Sequence, residues 1–528
     1  MYYRILKMHF QNTIIRRMKT TVHTVSYKIF RKERVNMKNM QKSTKNLLNF
    51  ALALVLGLIA MALMGSTELT VQGQRMVGVL VAIMYIWISG CMPLAASCLV
   101  LIILETFAAT DFTGAIEGGL TMSKALSKTL ASFASTTPMT VIVGTALAAV
   151  VKSSGLAERI VYLIMRLVAG KSGKAKASRV LGAMFLADVP ASLMIPSATG
   201  RCALYMSIAE GFEGPFKFGD PEKEHNPFQK AVWIAVALIP IIMGGAFLTG
   251  AEATIMVGGL IEETSGVAQG WGITFAVLWI PALLLMAAAF IILMKRYPSN
   301  VGDVDVSFIN NKLASMGKMT RNEIYCLVVL VMMVLLFVTD SIHGIPATFV
   351  LVIMCALLFL PGIGPGNWKV DGKKISWDGY FIIASAMGFS SLLSSFGVMK
   401  FFADKIALLG IHSYLVALLV MIVVTLLVRL GIASITSAAT LLVPISMAVG
   451  SAAGLNPAQI ACLAWITYVF CRISFFLPHQ GAQLIMTYGV GFYTKEDLMK
   501  SACVITSAAV VIYFIWGGFI APLIYSLA

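Results

Sequence analysis

An apolar stretch from Ser178 to Phe212 is interrupted at its centre by Pro196, Ser197, Ala198, Thr199, Gly200 and Arg201. Helix-forming apolar residues flank the interruption, from Val180 to Ala187 and from Cys202 to Ala209. Inside a bilayer every backbone polar group has to be satisfied within the protein or by a wet cavity. Proline, glycine and small hydroxyls at mid-course therefore read as a broken membrane helix, whose second half aims its N-terminus at a cavity and favours anions there. A second interruption of the same chemistry, Ser434, Ile435 and Thr436, lies in the apolar run from Tyr414 to Val449. Two matched breaks are the pattern of a transporter.

The rest of the chain supports that setting. With 59% hydrophobic and 12% charged residues in 528, and a mean hydropathy of +0.87, there is too little polar surface for a soluble globule. The fold class expected is an all-α polytopic membrane protein. The eight cysteines lie in or beside apolar segments without metal-ligand or redox spacing, so they read as small core residues. A channel would need a continuous polar lining and a repeated filter sequence. An enzyme would need a nucleophile with its base, or a metal cluster. Six scattered histidines, no His-x-x-x-His and no Gly-x-Ser-x-Gly argue against one. Neither catalytic residues nor a resident cofactor are expected, only sodium ions or protons as coupling ions.

The net charge of +16 suggests nucleic acid until it is located. Residues 1–45 hold twelve Lys and Arg against the single acid Glu33, a net +11 that leaves +5 for the remainder. A basic segment ahead of a first apolar span is the positive-inside signature, placing the N-terminus in the cytoplasm and the chain in the cytoplasmic membrane. It lacks the apolar core and small-residue cleavage site of a signal peptide. Met37 and Met40 would each serve as an alternative start.

Spans of about 20 apolar residues match a hydrocarbon core about 30 Å thick. The first runs from Leu47 to Met64, and the run from Met76 to Phe107, bent at Gly90 and Pro93, counts as two. From Ala125 to Ala169, with breakers at Thr136 to Pro138 and Ser153 to Gly155, a re-entrant hairpin is expected. After the central break come Val232 to Thr249 and Ile273 to Met294. The polar connection from Lys295 to Arg321 divides the chain. Beyond it lie Ile324 to Val338, Ile345 to Leu360, a hairpin-like region from Tyr380 to Leu409, the second broken run, Ile460 to Leu477, and Cys503 to Ile524. This gives 11 to 13 transmembrane helices. The domains are a basic tail (1–45), a first transmembrane repeat (46–297), a polar linker (298–322) and a second repeat (323–528).

Three local similarities support the repeat. Ser153-Ser154-Gly155 resembles Ser394-Ser395-Phe396-Gly397, Ser197-Ala198-Thr199 resembles Ser434-Ile435-Thr436, and Gly250-Ala251-Glu252 resembles Gly481-Ala482-Gln483. The separations from Gly155 to Gly397, Ser197 to Ser434 and Gly250 to Gly481 are 242, 237 and 231 residues. Near-constant offsets in one element order describe two related halves, as in carriers built from inverted repeats with the substrate at their interface.

Trp87 followed by Pro93, the segment from Lys152 to Arg159 and the two interruptions resemble the divalent anion/sodium symporter family. Phe247 to Gly250, Leu477-Pro478-His479, Tyr488 to Phe492 and Arg201 resemble its tartrate, citrate and 2-oxoglutarate/malate translocator branch. The resemblance runs from about Met76 to the C-terminus. It implies an elevator-type carrier, usually a homodimer, carrying small divalent anions with two hairpins and two breaks around the site. The family's repeated Ser-Asn-Thr signature, whose Asn contributes to sodium and carboxylate binding, reads here with Ala198 and Ile435 in the Asn places. Gly90 replaces a Glu, and Ser207 a Pro whose counterpart Pro444 is kept. Backbone near Ser192, Gly250 and Gln480 would remain for sodium.

Ionisable groups at membrane depth cost about 2.5–3.5 kcal/mol each and usually have a task. They are Asp188, Arg201, Glu252, Arg429, Arg472 and His479. Substrate binding is expected from Ser197, Ala198, Thr199, Arg201, Ser434, Ile435 and Thr436, and ion coupling from Glu252, Gly250, His479 and Gly481. Arg201 has the alternative reading of a structural partner for Asp188 or a backbone carbonyl, and Arg429 and Arg472 read as structural or interfacial. The rival reading, a cation/proton antiporter of related architecture, predicts acids at both breaks, where hydroxyls and an arginine stand instead. Because the tail's charge precedes Leu47 and it has no apolar face to pack, deletion of residues 1–39 should leave membrane insertion and transport intact, as checked by membrane-fraction yield and uptake.

Overall fold

The computed structural model describes residues 43–114, 119–170, 173–195, 197–212, 226–298, 303–407 and 413–527. Almost all of the basic tail, and Pro196 at the first interruption, lie outside these residues. Among the described residues eight helices are long and apolar enough to cross a membrane, from Ser43–Ser66, only 11% buried, to Lys495–Leu527. Five shorter apolar helices of 10–17 residues accompany them. The chain is thus an all-α multi-pass membrane protein.

Both interruptions turn out to be hairpin tips. Asp188 on Ala177–Met194 and Arg201 on Ala198–Gly211 are thirteen positions apart, about 20 Å along a straight helix. Yet Arg201 Nε lies 3.1 Å from Asp188 Oδ1, so the chain reverses between Met194 and Ala198. The second interruption behaves alike. Gly450 of Ile435–Ala452 packs on Ile460 and Leu463, while Ile466 and Leu418 of Tyr414–Arg429 both lie against Gly517. Leu418 and Gly450 would be about 48 Å apart on an unbroken helix, whereas here both arms lie along Pro457–Ile473.

The unwound breaks fall one element later in each half. Residues 244–251 separate Pro227–Met243 from Glu252–Ser265, and residues 474–481 separate Pro457–Ile473 from Ala482–Tyr488. Conversely, the region from Ala125 to Ala169, expected as a hairpin, contains a span, Thr136–Ser154, and the helix Leu156–Ala169 that folds back along Ala177–Met194. The region from Tyr380 to Leu409 is likewise Trp377–Ser395 followed by Val398–Ala407. Both spans end just before a glycine in the left-handed region, Gly155 at φ 84° and, one residue further on, Gly397 at φ 74°, a conformation glycine adopts without steric cost.

Reciprocal contacts relate the halves. Lys128, ahead of the first of these spans, donates to Ser395 Oγ at the end of the second (2.9 Å), and Lys374, ahead of the second, donates to Ser153 Oγ at the end of the first (2.6 Å). A separate apolar cluster that includes Met76, Ile83, Leu101, Phe389 and Leu392 joins Val71–Ser89, Leu94–Ala109 and Trp377–Ser395 into a frame beside the larger core. The polar linker is held in place. Lys174–Lys176 pairs antiparallel with Asp303–Asp305, and the buried Arg159 binds Glu323 at 2.6 Å together with the carbonyls of Met316 and Gly317.

Asp371, buried in the loop before Trp377–Ser395, accepts from Ser153 Oγ at 2.7 Å and from Lys374 Nζ at 3.1 Å. Burial works to raise its carboxyl, but these bonds and that from the Asn367 amide outweigh it and hold the group below the usual carboxylate range. A depressed folded-state value contributes stability above the unfolded-state pKa and loses it as pH falls through the folded one. Asp371→Asn should therefore lower the melting temperature in detergent at neutral pH, and the deficit should shrink below about pH 4.

Candidate functional site

The two hairpin tips meet across a cavity of about 410 Å³. At the first tip Ser197 Oγ accepts from Gly200 N at 3.2 Å, and at the second Ser434 Oγ accepts from Ser437 N at 3.2 Å. Each serine thus caps the helix that follows it. Such caps leave the first-turn N–H groups and the positive ends of Ala198–Gly211 and Ile435–Ala452 directed toward one space. Ser197, Ala198, Thr199, Ser434, Ile435 and Thr436 all line it, as do Glu252, at the helix start that follows the first unwound break, and His479 and Gly481 from the second. Gln483 crosses between the halves, its Nε2 donating to Thr199 Oγ1 at 3.4 Å.

Two expected site residues lie elsewhere. Arg201 is fully buried behind the first tip. Its Nη1 donates to Ile195 O at 2.5 Å and Gly250 O at 3.1 Å, its Nη2 to Pro240 O at 3.0 Å, and its Nε faces Asp188, beside which Tyr205 is packed. Gly250 contributes only this carbonyl, while its neighbour Ala251 reaches the cavity wall. Arg429 repeats the arrangement in the second half. Its Nη1 donates to Ile432 O at the tip and its Nη2 to Gln480 O in the break, and Gln480 Nε2 returns a bond to Arg429 O at 2.6 Å. Each guanidinium therefore bridges a tip carbonyl to a carbonyl of an unwound break.

Arg472, expected from the sequence to be structural or interfacial, borders the cavity. Its Nε and Nη2 donate to Ile241 O at 3.0 and 2.8 Å, and its Nη1 to Tyr468 Oη at 3.1 Å. Tyr468 Oη also pairs with Thr254 Oγ1 at 2.7 Å, so the helix that follows the first half's break helps to fix a second-half cation. The guanidinium lies over Gly244 and Gly245, where an added side chain would collide with it. The available signal was an arginine near the end of an apolar helix, seven residues before His479, with no acid on its own helix.

Two positive helix ends, paired hydroxyls and an arginine thus surround one cavity within a membrane-spanning bundle. Residues 44–526 match the sodium:sulfate symporter transmembrane region, and the chain belongs to that family of secondary anion transporters. A membrane protein of Cupriavidus necator is 22% identical, with 85% of this chain and 87% of that protein aligned. Dicarboxylate transporter 2.1 of Arabidopsis thaliana chloroplasts is 27% identical over 52% of this chain and 49% of its own length. An L-tartrate/succinate antiporter of Shigella dysenteriae is 23% identical over 54% and 58%. Among solved structures, MtrF of Neisseria gonorrhoeae superposes with a TM-score of 0.53 at 14% identity over 80% of this chain and 95% of that one. The YdaH transporter of Alcanivorax borkumensis gives 0.52 at 16% identity over 81% and 98%. Both likenesses concern the fold.

Gly244→Ala should displace the Arg472 guanidinium and weaken anion binding by about tenfold, or about 1.4 kcal/mol, in a titration on purified protein.

Proposed function

We propose that this protein exchanges C4 dicarboxylates across the cytoplasmic membrane, one dianion inward for one outward, without sodium. The observation that carries this reading is the pair of guanidinium cages. The carbonyls of Gly250 and Gln480, which would serve a coupling cation, already accept from Arg201 and Arg429. Amide side chains are absent from Ala198 and Ile435. The guanidiniums of Arg429 and Arg472, which have no ion-pair partner among the described residues, do the electrostatic work of a bound ion and cannot leave with the substrate, so an empty site keeps positive charge and return without an anion is disfavoured.

Charge counting favours a dianion. Asp188 neutralises Arg201, whereas Arg429 and Arg472 make their polar contacts to backbone carbonyls and a tyrosine hydroxyl, with no carboxylate at ion-pair distance among the described residues. Two guanidiniums without an ion-pair partner, together with the positive ends of the two capped helices, outweigh the Glu252 carboxylate on the same wall and suit a dianion with one carboxylate at each helix start. The dicarboxylate and tartrate/succinate carriers among the relatives agree with that class. The core holding hairpins and breaks would carry the cavity from one membrane face to the other against the frame, with the N-terminus in the cytoplasm.

Proteoliposomes loaded with unlabelled succinate should take up labelled succinate at a rate that changes by less than about twofold when a sodium gradient is imposed, and empty vesicles should take up little. Thr199→Val and Thr436→Val, which keep shape and remove hydroxyls, should each lower uptake by about tenfold. Steep stimulation by sodium would overturn the exchange reading, and unchanged transport in both variants would overturn the site.

A further inference from the structure

Glu252 is the cavity residue whose carboxylate leaves the core. It opens the helix Glu252–Ser265, yet its side chain reaches Ser376, the N-cap of Trp377–Ser395 in the frame, and crowds Gly379 so closely that a side chain there would collide with Oε2. A carboxylate seated on a helix N-terminus is attracted by the positive end of that helix. The groups that face it are Ser376, Gly379 and the Asp378 carboxylate from the frame, Thr145 from Thr136–Ser154, and Arg472 and His479 around the cavity. Among the described residues no lysine or arginine forms an ion pair with it. The same helix is packed on Thr136–Ser154 with Gly259 directly against Thr137, so Glu252 stands where a moving core would have to part from its surroundings.

We propose that Glu252 is a proton-binding positioning residue, whose ionised carboxylate docks the core on the N-terminal end of Trp377–Ser395 and whose protonation releases that dock. The proton comes from water in the cavity and converts the carboxylate to a carboxyl. It returns to water when the core docks again, so it changes the rate of exchange without net proton flux. The physical basis is twofold. A neutral carboxyl loses its attraction to the helix end, and it avoids carrying an unpaired charge past apolar surface, which costs about 2.5–3.5 kcal/mol at membrane depth.

The proposal rests on the exchange reading, and two measurements separate the failures. Wild-type exchange should rise about tenfold from about pH 8 to about pH 5.5, while Glu252→Gln, which imitates the protonated group, should be fast and vary by less than about twofold. The same pair in a His479→Asn background removes the imidazole from the cavity wall. Hydrogen–deuterium exchange over residues 376–383 needs no substrate. Corrected for intrinsic rates, it should increase on acidification in the wild type and be high at both pH values in Glu252→Gln. Loss of exchange in a folded Glu252→Gln protein, a pH profile parallel to wild type, or unchanged protection at residues 376–383 would each overturn it. Absent dicarboxylate transport in the wild type, with the protection change present, would instead overturn the exchange reading alone.

Discussion

A guanidinium held between a hairpin tip and an unwound helix is the interaction on which the rest of this protein depends. Breaking a membrane helix frees carbonyls that lipid cannot satisfy, and a hairpin tip inside the bilayer does the same. Arg201 collects Ile195, Gly250 and Pro240, and Arg429 collects Ile432 and Gln480, so in each half two sets of freed acceptors share one donor group. A planar fork of five donors suits that task better than an ammonium would. The desolvation of a buried arginine is offset by these charge-assisted bonds, and in one case also by Asp188.

Once the tips are fixed, the cavity follows. The helix starts at Ala198 and Ile435 can face each other only because the segments before them are tied back, and Ser197 and Ser434 then satisfy one amide apiece while leaving others for a ligand. Arg472 supplies the cation at the wall because Gly244 and Gly245 leave room for it. The same glycines that let the backbone unwind therefore also admit the charge, which joins the local conformation of the break to the charge on the cavity wall.

Much of this was legible beforehand. Apolar run lengths gave the spans, the paired Ser-x-Thr interruptions marked both tips, and nine of the eleven expected site residues line one cavity. The direction of the chain at each interruption was not legible. Proline, glycine and small hydroxyls end a helix equally well whether the next helix continues or doubles back, and Asp188 meeting Arg201 is a fact of reversal that local composition does not carry. The hairpins and breaks were consequently expected one element away from where they lie.

The sequence by itself determined that this is a multi-pass helical protein with two related halves, and which hydroxyls stand at its interruptions, because hydrophobic length and capping chemistry act within a few residues. Tertiary structure alone decided what each arginine does. Arg201, which looked poised for substrate, is consumed by carbonyls up to 49 positions away, and Arg472, which looked structural, reaches the cavity on supports 231 positions distant. Donor groups at membrane depth bond whichever freed acceptors the fold brings within reach, and that choice is made by packing between segments rather than by the segment that holds the arginine.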